Sequence, residues 1–236
     1  KERFSTEILV YATATGEEIA RTRPLAAFRC MEATEDGQLV IAAESGVTVW
    51  EPPFSVPLAD NVELEDDVNL IVQIDPSQLL VGNEAGLINK WTIDTGKSNK
   101  APFALSQSPL TVSALSGDGG LLAIGDSRGA ISIVEPNDLR KVSKTDAHWS
   151  GVLAMIWLDD GLLVSSGRDQ TLRFWLWCPS SDRLELQLEL RMPSNVVQIF
   201  ANSTPAKCSW LWLLRENSTA VERLNANLMS RKLAGQ

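Results

Sequence analysis

Among its 236 residues the chain has one histidine, three cysteines and no apolar run longer than a strand. Each scarcity closes off a class of function. A membrane helix needs roughly 18 consecutive apolar residues, so none is expected. Cys30, Cys178 and Cys208 are widely spaced and odd in number, and no Cys-x-x-Cys or Cys/His cluster accompanies them. They therefore give neither a disulfide framework nor a zinc site, and no metal is expected. Their default role is that of small buried hydrophobes, Cys30 in a first strand and Cys208 just before a second. Free thiols also fit a reducing, cytoplasmic setting. Lys and Arg total 21 against 30 Asp and Glu, for a formal net charge of −9. The basic residues form no stripe, which argues against nucleic-acid binding and against adsorption to anionic membranes; the acidic balance serves solubility. No glycine-rich loop opens a helix, because Gly117-Asp118-Gly119-Gly120 separates two apolar runs as a hairpin turn. No amphipathic helix of useful length appears, and no cofactor is implied. The opening Lys1-Glu2-Arg3-Phe4 is neither an initiator methionine nor a signal peptide.

What is present is a pattern. Residues 147–175, AHWSGVLAMIWLDDGLLVSSGRDQTLRFW, read as strand, turn, strand, turn, strand. VLAMIW and LLVSS are apolar runs split by Asp159-Asp160-Gly161, and TLRFW follows the polar turn Gly167-Arg168-Asp169-Gln170. The pattern recurs. Anchored on the residue that closes the third strand, it gives Tyr11, Trp50, Trp91, Val134, Trp175 and Leu224, in steps of 39, 41, 43, 41 and 49 residues. A short polar turn and a strand precede each inner anchor: Glu44-Ser45-Gly46 before VTVW, Ala85-Gly86 before LINKW, Arg128-Gly129 before AISIV. Apolar runs and Gly/Asp/Pro turns at such spacing also fit a β-sandwich. A fixed period near 41 decides for a repeat of four-stranded sheets stacked radially, since one such sheet alone is marginal and stacking buries both its faces.

On these residues the chain resembles the WD40 β-propeller family, with Trp175-Leu176 where that family usually has Trp-Asp. The resemblance implies an all-β, WD40-like β-propeller with five repeat units (about 25–62, 63–106, 107–147, 148–191 and 192–236) after a partial N-terminal blade at 1–24, in a single domain over 1–236. Only ten residues precede Tyr11, so the first two strands of its blade are missing. That reads as the C-terminal part of a longer polypeptide, fused to one or more upstream domains. The resemblance also implies a structural tetrad. A His before the first strand bonds the Asp of the turn after the second, and a Ser of the second strand joins that His to the indole N–H of the Trp. The matching residues are His148, Asp169, Ser165 and Trp175. The same residue types could be mistaken for a hydrolase triad, but Ser165 sits mid-run in LLVSSG with no nucleophile elbow. With no second histidine, no catalytic residue is assigned. In the other repeats Ala85 and Arg128 stand at the position of Asp169, Val134 replaces the Trp, and Glu44 is a partial substitute for the Asp.

The propeller places the loops entering each blade, and those joining second to third strands, on one face. Loops on rigid scaffolds are the usual carriers of recognition. The candidate partner-binding residues on that face are Glu44, Asp60, Glu63, Glu65, Asp66, Asp67, Glu84, Trp149 and Arg168. The acidic run suits a basic protein or peptide, and Trp149 and Arg168 are residue types enriched in binding hot spots. The expected function is thus a non-enzymatic protein–protein interaction scaffold or sensor within a larger protein. The alternative is a propeller-fold hydrolase or lyase using central-channel residues. It would need acidic or metal-binding side chains on the innermost strands, and FRCMEA, VNLIVQI, LTVSAL, VLAMIW and VVQIF hold almost none.

Overall fold

Alternating apolar runs punctuated by Gly, Asp and Pro dictate short antiparallel strands joined by hairpins. A computed structural model of the chain describes residues 8–12, 14–22, 28–34, 36–43, 46–51, 67–93, 97–98, 101–158, 161–204, 207–218 and 220–225. Among these residues the regular elements are all strands, and no helix is long and apolar enough to cross a membrane.

The chain divides into two compact units, Lys1–Pro109 and Leu110–Gln236. In the first, β1 (Ile8–Tyr11) and β2 (Glu18–Thr22) pair as a hairpin. Strands β3 (Phe28–Ala33), β4 (Leu39–Ala43) and β5 (Gly46–Trp50) form a meander. A second meander is β6 (Val68–Asp75), β7 (Gln78–Asn83) and β8 (Leu87–Thr92), with the short β9 (Lys97–Ser98) and β10 (Phe103–Ala104) both pairing with β8. The second unit contains two four-stranded meanders, β11 (Leu110–Leu115), β12 (Leu122–Asp126), β13 (Ala130–Glu135), β14 (Arg140–Asp146), and β15 (Val152–Leu158), β16 (Leu162–Gly167), β17 (Thr171–Cys178), β18 (Arg183–Arg191). Its third sheet is β19 (Val196–Thr204), β20 (Lys207–Arg215) and β21 (Val221–Asn225).

Within each unit the first strands of successive sheets lie beside one another, β3 against β6 in one, β11 against β15 and β15 against β19 in the other. A sheet held between two others is covered on both faces, so its inner strands carry continuous apolar runs. Strand β12 is buried along its whole length, as is TLRFW of β17. In the β15–β18 sheet, Leu163 and Trp175 pack toward Ala123, Ile133 and Val152, while Val164, Leu172 and Phe174 pack on the opposite face with Val196 and Leu211. The outermost strand β18, RLELQLELR, is more exposed and alternates.

The third-strand anchors Trp50, Trp91, Val134 and Trp175 are buried, whereas Tyr11 at the end of β1 is half exposed. Cys208 lies within β20 and not before it, because that strand begins at Lys207. Cys30 packs against the apolar cluster of the first unit, and burial, helped by Glu32, pushes its thiol up to about 12.

One turn recurs with the same hydrogen bonds. Between second and third strands, Gly86 (φ +79°), Gly129 (φ +96°) and Gln170 (φ +60°) occupy the left-handed region. Each turns its carbonyl toward the chain arriving from the end of its sheet. Gly86 O accepts from Leu105 N at 3.0 Å and Ser106 N at 3.1 Å, Gly129 O from Ala147 N at 3.0 Å and His148 N at 2.8 Å, and Gln170 O from Met192 N at 2.8 Å. The approach is tight, for a Cβ on Gly129 would lie 2.2 Å from the His148 carbonyl oxygen. Gly129→Ala should therefore cost about 2–4 kcal/mol, from left-handed strain plus a backbone collision that no rotamer relieves. Urea unfolding measures it, and an unchanged midpoint would show that the His148 loop can step aside.

Candidate functional site

The end of the β15–β18 sheet holds a continuous chain of hydrogen bonds. Trp175 Nε1 donates to Ser165 Oγ at 2.9 Å, Ser165 Oγ lies 2.8 Å from His148 Nε2, and His148 Nδ1 lies 3.0 Å from Asp169 Oδ1. The donors run in one direction. The indole has only a proton to give, so Ser165 accepts it and passes its own hydroxyl proton to Nε2, leaving Nδ1–H to donate to the carboxylate. Each group is satisfied once the imidazole is neutral. Protonation would put a second donor on Ser165 Oγ and strand the serine hydrogen. Burial acts in the same direction and outweighs the attraction of Asp169, holding the His148 pKa below its ordinary value of 6.5. Ser165 is wholly buried, so this serine cannot meet a substrate as a nucleophile would.

Asp169 gathers more partners than the sequence pattern assigns. Its Oδ1 accepts from Thr171 Oγ1 at 2.7 Å and Thr171 N at 3.2 Å, and its Oδ2 from Trp149 N at 3.1 Å. Burial opposes ionisation here, but Thr171, the Trp149 amide and His148 together hold the carboxyl below its usual range. Arg173, itself buried, completes the cluster. Its Nη1 donates to the Ala147 carbonyl, its Nε to Glu189 at 2.8 Å, and it lies 3.7 Å from Asp169 Oδ2. The segment Ala147–Trp149 is thus fastened by Gly129 O, Asp169 and Arg173. Thr171, Arg173 and Glu189 were not singled out from the sequence. Their signal is a polar residue recurring at period two inside TLRFW and RLELQLELR.

The other repeats solve the same turn differently. In β8 and β13 the residues in register with Thr171 are Leu87 and Ala130. Their amides are capped by Asn83 Oδ1 at 2.8 Å and Asp126 Oδ1 at 3.0 Å. Both caps stand at the end of the second strand, where the histidine-bearing repeat has Gly167. A Cβ at Gly167 would lie 2.4 Å from His148 Nδ1 and 2.7 Å from Asp169 Oδ1. The imidazole and a strand-end side chain compete for one space. Ala85 and Arg128 do stand at the Asp169 position, but the capping group has moved two residues earlier.

Of the candidate face, Glu44, Asp60, Glu63, Glu65 and Asp66 lie outside the described residues. Asp67 and Glu84, in the first unit, are both engaged by Arg29 of β3, at 2.5 Å and 3.7 Å. Two carboxylates share this one guanidinium, so a net negative charge remains at that place. In the second unit Trp149 is 89 % exposed. Arg168 is exposed beside it, its amide donating to Gly151 O at 2.9 Å.

No family model matches the chain. It is 22 % identical over 184 residues to apoptotic protease-activating factor 1 of Danio rerio, covering 77 % of this chain and 14 % of that protein. Among solved structures, it superposes on a chain of the mitotic checkpoint complex with a TM-score of 0.68 at 19 % identity, covering 85 % of this chain and 62 % of that one. The computationally designed Ika8 protein gives a TM-score of 0.72 at 16 % identity, with 94 % and 65 % covered. The chain thus spans less than two thirds of each of these proteins.

His148 is the only histidine, which makes its titration separable. Its folded-state pKa lies below the unfolded one. As pH falls through about 6.5 the unfolded chain takes up a proton that the folded chain refuses. The stability contributed by the neutral imidazole is complete above that pH and is lost on acidification toward the folded value. Wild type should lose stability between pH 7.5 and 5.5 relative to His148→Gln, a difference in which the carboxylates common to both cancel. At pH 7.5, His148→Ala should cost roughly 1–3 kcal/mol through the partners left unsatisfied. Parallel stability–pH curves for wild type and His148→Gln would overturn the neutral assignment.

Proposed function

From a chain that is a WD40-type β-propeller, we propose a protein-interaction module without chemistry of its own, whose contact surface in the second unit is the loop of Trp149 with the turn of Arg168. One observation carries the reading. Trp149 leaves 89 % of its surface in water, while its amide is held by Asp169 and that of its neighbour His148 by Gly129 O. An exposed indole on a fixed loop is a preorganised anchor, because the partner gains apolar burial without having to order the loop. Covering an aromatic of about 200 Å² at ~25 cal/mol/Å² amounts to a gross gain of about 5 kcal/mol. Arg168 adds a rim charge that acts mainly on the rate of encounter.

The names of similar proteins support the class of partner. One relative is called a protease-activating factor and one solved neighbour belongs to a checkpoint complex, so both serve through other proteins. A reducing, cytosolic setting suits the buried Cys30 thiol. The absence of catalysis is supported by the way the one histidine and its serine are consumed in packing.

Photo-crosslinking from p-benzoylphenylalanine at position 149 of the whole protein, in its own cells, identifies the partner; calorimetry with the purified partner then tests the anchor. Trp149→Ala should weaken binding about 30-fold, the size of a 2 kcal/mol hot spot, with the melting temperature unchanged. Equal affinity of Trp149→Ala and wild type would remove this loop from the interface.

A further inference from the structure

The opposite ends of the same strands form a second candidate site. A cleft of about 370 Å³ opens in the second unit between the β11–β12 turn and the far ends of β15 and β17. Ser116, Asp118, Leu121, Trp157, Leu158 and Trp177 line it. Strand β15 runs from Val152, near the Trp149 loop, to Leu158 at the cleft. At ~3.3 Å per residue the two places are about 20 Å apart.

Its chemistry is that of a receptor for an organic cation. Trp157 spends its one polar edge on the Ala114 carbonyl, Nε1 to O 3.0 Å, so what it offers the cleft is ring. Trp177 offers a second indole, and Leu121 and Leu158 extend the apolar wall. Asp118 supplies the only charge among the described lining residues. Its carboxyl is held below the usual range by Ser116 Oγ at 2.6 Å and Gly120 N at 3.0 Å. Both bonds fall on Oδ1, and Oδ2 keeps its lone pairs. Ring faces attract cations, a carboxylate attracts them further, and an alkyl stem packs on leucine and indole. The volume sits at the small end of ligand sites, enough for one long side chain.

We propose that this cleft receives the side chain of a lysine from a partner peptide, its alkyl stem between Trp157 and Trp177 and its ammonium at Asp118. The site is separate from the Trp149 surface, and either can fail without the other.

The test uses the intact chain and three probes: N-acetyl-lysine methylamide, the neutral isostere N-acetyl-norleucine methylamide, and tetramethylammonium chloride. The readout is the indole N–H signals of Trp157 and Trp177 in ¹⁵N NMR, assigned from Trp157→Phe and Trp177→Phe. Lysine amide should shift both signals saturably with a millimolar dissociation constant, and the norleucine amide at least tenfold more weakly. Asp118→Asn keeps an Oδ1 acceptor for the turn and removes the charge, so it should weaken lysine amide at least threefold with the fold intact. Tetramethylammonium shifting the same two signals in competition with lysine amide supports cation recognition by the rings. Equal shifts from the norleucine amide would make the cleft a plain apolar groove. No saturable shift up to about 50 mM, or binding indifferent to Asp118→Asn, overturns the proposal.

Discussion

A buried backbone N–H must be given an acceptor, and the amide that opens each third strand sets the terms for everything around it. Leu87, Ala130 and Thr171 each present that amide at the same register, and a side-chain oxygen from the preceding turn meets it in all three. When the oxygen comes from the strand end, as with Asn83 and Asp126, the cap reaches the opening amide across four residues. When it comes from Asp169, two residues later, the carboxylate lies in the turn itself, within reach of the loop that enters the sheet. From that place it takes His148, Thr171 and the Trp149 amide into one cluster. The choice of capping position therefore decides whether the cap itself also holds the incoming loop, which the β7–β8 turn meets through the backbone, Glu84 N donating to Asp67 O at 3.1 Å.

The tryptophan anchors reveal the same economy at the opposite end of the chain of bonds. Trp175 Nε1 has Ser165, and Trp50 Nε1 donates to Thr48 Oγ1 at 3.1 Å. Trp91 Nε1 is buried with no hydrogen-bond partner among the described residues, because Val81 stands where Ser165 does in β16. Leaving such a donor unmet costs about 1–3 kcal/mol, which large apolar burial in that sheet has to offset. Val134 has no donor to satisfy, and Ile124 stands in β12 where Ser165 stands in β16. The side-chain hydrogen bonds are accordingly uneven from sheet to sheet among the described residues, with a continuous chain of them in β15–β18.

The repeat and its strand order were legible in the sequence because turn residues recur at fixed spacing and each apolar run is strand-sized. Tyr11 ends β1, and Trp50, Trp91, Val134, Trp175 and Leu224 fall in the third strand of their sheets, Trp175 three residues before the end of β17. The four tetrad residues were legible only through the family resemblance, for nothing in LLVSSG announces that Ser165 faces an indole. Thr171 and Arg173 escaped notice because what matters in them is direction, and a strand's alternation has to be tied to a known core face before it can be read. Asn83 and Asp126 escaped because a fixed offset from the anchor looks two residues too late. The pairing of Asp67 with Arg29, 38 residues before it in the chain, was not legible, since local charge runs say nothing about a cation delivered from another strand.

Gly167 has a consequence for how such repeats can change. A methyl group there would stand 2.4 Å from the imidazole, so a histidine-gripped turn cannot acquire a strand-end cap while its histidine remains. The repeats that carry Asn83 or Asp126 at that position have no histidine to compete for it. Passing from one arrangement to the other by single substitutions means crossing an intermediate that is either crowded or short of a hydrogen bond. Interconverting the two arrangements in one sheet therefore calls for paired changes, one at the strand end and one at the loop position that holds the ring.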